Sequence, residues 1–433
     1  MENNFNNNSI QKTKINSSIE IETLPYKSFS SNRWIVPTLK DLLKLKSEIS
    51  LNGKENEDSI ILLIDDIIEK AISLNASDIH FEQEEGILVV RYRIDGVLKK
   101  FFAFSGEKRE KMISRLKLMA SMDITETRRP QDGRIKKNIK GEPIDIRVSS
   151  LPTAFGERLV LRILDTSNVE LNIEKIGIDE DLLTILKKNL KKNGGLILVT
   201  GPTGSGKTTT LYSALNYIKN ETLNIMTVED PIEYKLEGIS QTQVSPEIDF
   251  TFANSLRSIL RQDPDVILIG EIRDSETLSI ALRSAVTGHL VLSTLHTNSA
   301  LSSIARLRDL GAETFMLVSA LNLIIAQRLL RKLCPDCKYF ETNIQANGKE
   351  VPVWNAKGCK KCNGTGYVGR IPVFEYVELD DNIKEMILKN ASDKQIYNYL
   401  KKEKSFESLS DKILKLLSRG ETSIYEAEKM GVF

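Results

Sequence analysis

The segment GPTGSGKT, running from Gly201 to Thr208, carries the most specific chemistry in this chain. Gly201, Gly204 and Gly206 let successive backbone N–H groups turn inward around a phosphate, with Pro202, Thr203 and Ser205 filling out the loop. Lys207 supplies a point charge to the outer phosphates, Thr208 is placed to ligate magnesium, and Thr209 continues into the next turn. The context fits. An apolar strand, LILVT, feeds the loop, and TTTLYSALNYI continues it as a helix whose positive end faces the phosphates.

Two acidic strand ends offer hydrolytic chemistry. VILIGE ends in Glu271, and NIMTVED ends in Glu229 and Asp230. In parallel α/β sheets the ligand lies off the carboxyl ends of the strands, so either acid could polarise a metal-bound phosphate or orient the attacking water. Glu271 is favoured for the water, with Glu229 kept as its rival. His289 and His296 flank a further apolar run in TGHLVLSTLHTN. Seven residues apart on a strand they face opposite sides, so at most one approaches the γ-phosphate, and His296 at the carboxyl end is favoured.

All four cysteines fall in two CxxC pairs, Cys334 with Cys337 and Cys359 with Cys362, separated by 21 residues. This spacing points to tetrahedral zinc, and with no open position suggested the metal is expected to be structural. Arginines gather in the first half and around VILIGE: Arg147, Arg158, Arg162, Arg257, Arg261 and Arg273. Each alone reads as a surface ion pair. Together they could steady the charge on a γ-phosphoryl group, making hydrolysis depend on domain motion or on a neighbouring subunit.

These residues need a scaffold, and 433 residues are enough for several domains. Residues 1–56 are polar and predict a flexible or partner-docking arm. From Ile60 apolar positions recur at helical spacing, with an exit near Asn75 or Ser77. ILVVRYRIDGVLKKFF predicts two strands about an Asp95-Gly96 turn, and QDGRIKK, PIDIRVSSLP and ERLVLRIL predict more strands around Asp132-Gly133 and Lys140-Gly141. This first domain is mixed α+β. After a linker with one helix, DEDLLTILKKNLKK, the strands LILVT, NIMTVED, VILIGE and LVLSTLH alternate with helical patterns, as in a parallel α/β sheet. The tail from about Leu379 predicts a helical bundle.

Lys+Arg at 60 against Asp+Glu at 59 leave no charge excess, which argues against a nucleic-acid translocase. A catalytically silent scaffold would lack Lys207 or both acids, and this chain keeps them. No apolar run approaches the roughly 20 residues that span a bilayer, and the N-terminus lacks a signal-peptide core. A cytoplasmic protein with only peripheral membrane contact is expected.

In order, SDIHFE (77–82), PQDGRI (130–135), GERLVLRIL (156–164), GPTGSGKTTTLY, NIMTVEDPIEY (224–234), LRQDPDVILIGEIRDSET (260–277) and TGHLVLSTLHTN (287–298) resemble the traffic ATPases of type II secretion and type IV pilus assembly. The resemblance runs from about Ile60 to the C-terminus. NIMTVEDPIEY, GISQTQV and FANSLRSILRQDPD resemble the secretion branch more than the pilus branch, and the tetracysteine segment is unlike the retraction ATPases. It implies a multidomain α/β fold: a polar arm (1–56), a PAS-like α+β domain (57–168), a linker (169–193), a RecA-like P-loop ATPase core (194–333), a tetracysteine zinc-binding subdomain (334–370) and a helical C-terminal domain (371–433). VEDPIEY would be the family's aspartate box and TGHLVLSTLHTN its histidine box.

By the same resemblance Arg147 and Arg162 match first-domain arginines that contact nucleotide phosphates, while Arg257, Arg261, Arg273 and Arg370 match arginines lining the site or a subunit boundary. The implied protein is a homohexamer using ATP, Mg2+ and structural Zn2+. It would work at the cytoplasmic face of the inner membrane, with a polytopic platform protein and a cytoplasmic-domain docking partner, to add pilin-like subunits to a filament. Secretion ATPases usually carry a folded N-terminal docking domain. The short polar segment 1–56 departs from that pattern, and leaves a type IV pilus or competence pseudopilus system as the alternative.

Overall fold

The computed structural model describes residues 57–105, 108–139, 142–164, 171–346 and 349–431. The expected N-terminal arm and the Lys140-Gly141 turn lie outside the described residues. Two compact units divide the chain, Met1–Asn168 and Val169–Phe433.

The first unit begins with α1 (Glu57–Ser73), whose Ile60, Ile64, Ile67, Ile68 and Ala71 fall on one buried face. Six antiparallel strands follow: β1 (Ala76–Glu84), β2 (Ile87–Ile94), β3 (Val97–Ser105), β4 (Gln131–Ile139), β5 (Glu142–Thr153) and β6 (Gly156–Leu164), in the order β3-β2-β1-β6-β5-β4. Alternation along β1 sends Ile79 and Phe81 into the core, against α1 and α2 (Lys108–Met119). Asp78, His80 and Glu82 occupy the opposite face. There Arg162 and Arg93 reach Asp78 at 3.0 and 3.4 Å, and Arg158 and Arg91 reach Glu82 at 2.7 and 2.6 Å. Asp132-Gly133, expected as a turn, lies inside β4 instead. A side chain at Gly133 would collide with the Ala120 carbonyl, which accepts from Arg134 N at 3.3 Å. That glycine marks a close backbone approach, which is the other use a strand has for it.

The second unit is built on seven strands: β7 (Gly195–Thr200), β8 (Ile225–Glu229), β9 (Ser240–Gln243), β10 (Val266–Ile269), β11 (Leu290–Leu295), β12 (Leu321–Leu333) and β15 (Tyr367–Glu378). Their order is β15-β12-β7-β11-β10-β8-β9, parallel except for β15 against β12. Every residue of β7, β10 and β11 is buried, because helices cover both faces. On one face α3 (Glu180–Leu190) and α4 (Lys207–Ile218) pack Leu182, Leu186, Leu211 and Leu215 against Ile197, Val199, Leu268 and Leu292. On the other, α5 (Phe252–Ile259), α6 (Ser275–Val286), α7 (Ala300–Asp309) and α8 (Thr314–Ala320) cover Leu196, Leu198, Ile267, Ile269 and Val291.

The tetracysteine segment is an insertion between two neighbouring strands of this sheet. β12 leads into it, a hairpin of β13 (Lys338–Ala346) and β14 (Lys349–Ala356) stands inside it, and β15 returns to pair with β12. The expected boundary at 333 falls at the end of β12, whereas the one at 370 cuts through β15. Residues 371–378 are strand, since Val373 and Val377 complete the apolar layer beside β12. The helical tail starts later, as α9 (Asp381–Leu388), α10 (Asp393–Glu403), α11 (Leu409–Ser418) and α12 (Ile424–Lys429). Asp380, Ser392, Ser408 and Ser423 cap these helices by accepting from backbone N–H groups.

Candidate nucleotide site

The carboxyl end of β7 opens directly into the phosphate loop. Gly201 N donates to Leu295 O at 3.2 Å, and α4 begins at Lys207 with Gly206 as its left-handed cap, φ 88°. A side chain at Gly206 would meet the tip of Gln327, Nε2, at 2.8 Å, a contact a side-chain shift can relieve, so it is the left-handed conformation that demands glycine. Pro202, Thr203 and Gly204 are exposed at the tip, Ser205 is buried, and Lys207, Thr208 and Thr209 are half-buried at the helix start. Lys207 Nζ donates to the Gly201 and Pro202 carbonyls at 2.8 and 3.1 Å. Burial holds the Lys207 pKa below its ordinary value; the Glu271 charge opposes that shift and Arg328 adds to it.

Glu271 stands just beyond β10. One of its oxygens accepts from Arg273 Nη2, and the other lies 3.5 Å from His296 Nε2. Arg273 also reaches Asp230 at 3.5 Å. Lys207, Glu271, Arg273 and His296 thus converge on one edge of the sheet. Glu229 is used differently. It is buried, and Tyr212 Oη, Thr227 Oγ1 (2.6 Å) and Gln241 Nε2 (3.1 Å) all donate to its carboxylate. Its neighbours leave Glu229 as the hub of a packed polar network joining α4, β8 and β9. His289, at the other end of β11, contacts Ser284 O at 3.0 Å through Nδ1.

The remaining arginines have other engagements. Arg257 donates to Glu276 and to Asn254 Oδ1 at 3.1 Å, and Arg261 to Arg257 O and Ser258 Oγ at 3.0 and 3.1 Å. Arg370 is exposed on β15, opposite Arg331. Arg147 and Arg162 face each other across β5 and β6 of the first unit.

Two site residues escaped the sequence reasoning. Gln327 and Arg328 sit on β12 and are buried, and Gln327 Oε1 accepts from Thr210 on α4 at 2.8 Å. Their signal was available: a Gln-Arg pair interrupts the apolar run of LNLIIAQRLL.

The four cysteine sulfurs lie within 4.8 Å of one another, with Cys334–Cys359 at 3.7 Å and Cys337–Cys362 and Cys359–Cys362 at 3.8 Å. Four thiolates about 2.3 Å from a tetrahedral ion stand about 3.8 Å apart, so the donor set is compatible with zinc. No disulfide joins them. Cys359 N and Gly366 N donate to Cys362 Sγ at 3.1 and 3.2 Å. Burial pushes that thiol up, yet these donors and the neighbouring sulfurs outweigh it and bring it down to about 7.

A glycine phosphate loop at the end of β7, with an acid off β10 on the same sheet edge, defines a P-loop ATPase. The chain belongs to the type II/IV secretion system protein family, whose model matches residues 53–429. It is 47% identical over 391 residues to a type II secretion system protein E of Aeromonas hydrophila, covering 88% of this chain and 78% of the relative. A type II secretion system ATPase E of Vibrio cholerae is 44% identical over 402 residues, covering 90% of this chain and 80% of its own. Among solved structures, the pilus retraction motor PilT with bound ADP superposes with a TM-score of 0.58 at 29% identity, over 84% of this chain and 95% of its own.

Proposed function

We propose that this chain hydrolyses magnesium-ATP as the motor subunit of a type II secretion system, driving addition of pilin-like subunits. The convergence of Lys207, Glu271, Arg273 and His296 carries this reading. Lys207 and the loop N–H groups bind the phosphates, and Thr208 would hold magnesium, which when bound neutralises charge on the phosphate oxygens. Glu271 orients the water and takes its proton as the oxygen attacks the γ-phosphorus and the bond to the bridging oxygen breaks. Arg273 fixes one carboxylate oxygen, leaving the other towards His296. Glu229, with three donors satisfied, serves the fold that carries this site.

The finer reading extends outward from there. The first unit is PAS-like and the second is RecA-like at its core, with structural zinc on Cys334, Cys337, Cys359 and Cys362. Arg147 and Arg162 add phosphate contacts, and Arg257, Arg261 and Arg370 serve subunit boundaries of a homohexamer. No helix among the described residues is long and apolar enough to cross a membrane. Attachment to the cytoplasmic face of the inner membrane would run through a platform protein and a docking partner. Secretion is favoured over pilus assembly because the Aeromonas hydrophila secretion relative is 47% identical while the pilus retraction motor is 29% identical.

Purified Glu271→Gln should bind ATP as the wild type does while turnover falls by about 100-fold or more. Lys207→Ala should not bind nucleotide. Wild-type turnover in Glu271→Gln would remove that carboxylate from its role.

A further inference from the structure

Arg328 is 6% exposed beside the buried Gln327, where the Gln-Arg pair interrupts the apolar run of β12, and its hydrogen bonds go to oxygens of the main chain and of an amide. Nη1 donates to Gln327 O at 3.0 Å; Nη2 donates to Asn298 O at 2.7 Å and lies 3.4 Å from Asn298 Oδ1. Packing alone would be better served by Leu or Met, since a desolvated guanidinium is costly and local rules break chiefly at functional sites.

Its position suggests what that cost supports. Nη1 lies 3.2 Å from where a side chain on Gly201 would begin, directly behind the phosphate loop. Asn298 follows His296 by two residues, and the carbonyl before it, Thr297 O, accepts from Thr200 Oγ1 at 3.1 Å. Two consecutive carbonyls of the loop after β11 are therefore pinned, one by the end of β7 and one by Arg328. The loop ends just as firmly. Ser299 caps α7, and the buried Glu375 accepts from Ala300 N at 2.7 Å while its second oxygen accepts from Leu409 N at 3.0 Å. Burial lowers the Arg328 pKa and the Glu375 charge opposes that shift, consistent with an enclosed guanidinium that remains a cation.

We propose that Arg328 is a positioning residue for ATP hydrolysis: it fixes the 297–299 loop so that His296 is held against Glu271 beside the phosphate loop. The inference rests on the site reading given above. Arg328 touches no reacting atom in this role.

The test uses the full chain and measures kcat, KM and the dissociation constant for ADP. Arg328→Met should lower kcat by up to about 100-fold, the scale of a roughly 1 Å misplacement, and leave ADP affinity within about threefold. In a His296→Ala background the same substitution should cost little more, because both changes remove one alignment. Arg328→Lys, able to reach one carbonyl, should recover part of kcat, and it decides the matter by the same kcat split if the Met variant does not fold. Full and independent losses in both backgrounds, an unchanged kcat, or a loss confined to nucleotide binding would overturn the proposal. Wild-type turnover in Glu271→Gln sinks the site reading itself. A normal Glu271→Gln defect beside an unaffected Arg328→Met sinks only this inference.

Discussion

The two ends of β12 are held by different physics. At its start Leu323, Ile324, Ile325 and Ala326 are fully buried, with β7 and β15 on either side and apolar layers on both faces. Past Leu333, among the described residues, the β13–β14 hairpin shares a small cluster whose buried members are Ala346, Val351 and Leu417, helped by Ile344, Leu414 and Ile424, with Val353 buried besides. Phe340 on that hairpin is half-exposed. What orders this end is polar and sulfur chemistry: the cysteine cluster, Arg331 on Glu426 at 2.8 Å, and Tyr367 on Ser423 at 2.7 Å. A sheet with a core on both faces folds by burial, whereas an insertion with so small a core depends on its staples.

Metal removal presses hardest on that contrast. Structural zinc sites contribute on the order of 10–16 kcal/mol in apparent binding energy, so chelation should release residues 334–366 to hydrogen exchange while β7, β10 and β11 stay protected. Loss of protection at both ends together would break the comparison. A smaller effect should follow from Glu229→Ala, which leaves Tyr212, Thr227 and Gln241 without their acceptor and should cost about 1–3 kcal/mol. Denaturant unfolding would read this as a lower midpoint at unchanged slope, with Glu271→Gln shifting stability by no more than about 0.5 kcal/mol. Equal losses in the two variants would erase the distinction between them.

The smallest effect concerns pH. Burial lowers the Lys207 pKa from its ordinary 10.5, so the ammonium is lost as pH rises through a value below that. kcat/KM, which reports the free enzyme, should therefore fall on an alkaline limb beginning below the ordinary lysine range. Lys207→Arg, which does not titrate there, should remove the limb from whatever activity it retains.

How much of this was legible depends on where each residue's partners lie in the chain. The phosphate loop, the α1 stripe of Ile60, Ile64, Ile67 and Ile68, and the paired CxxC spacing are contiguous patterns with short-range physics. Glu229 and Glu271 carry the same local signature of an acid after an apolar strand, so the sequence left them as rivals. Tyr212, 17 residues before Glu229, and Gln241, 12 residues after it, separate the two. Asp132-Gly133 reads locally as a turn, yet its glycine answers to Ala120 across the fold.

By itself, then, the sequence determined a glycine-rich loop, a four-cysteine cluster and an α/β frame, because backbone turns and residue spacing are written in neighbouring residues. Tertiary structure alone decided that β15 closes the sheet beyond the cysteines. It also decided that Glu229 is enclosed by three donors while Glu271 faces Arg273 and His296, and that Arg328 stands behind the loop, 30 residues from the Asn298 it holds. A carboxylate or a guanidinium takes its role from the donors and acceptors that surround it, and here folding brings these from distant parts of the chain.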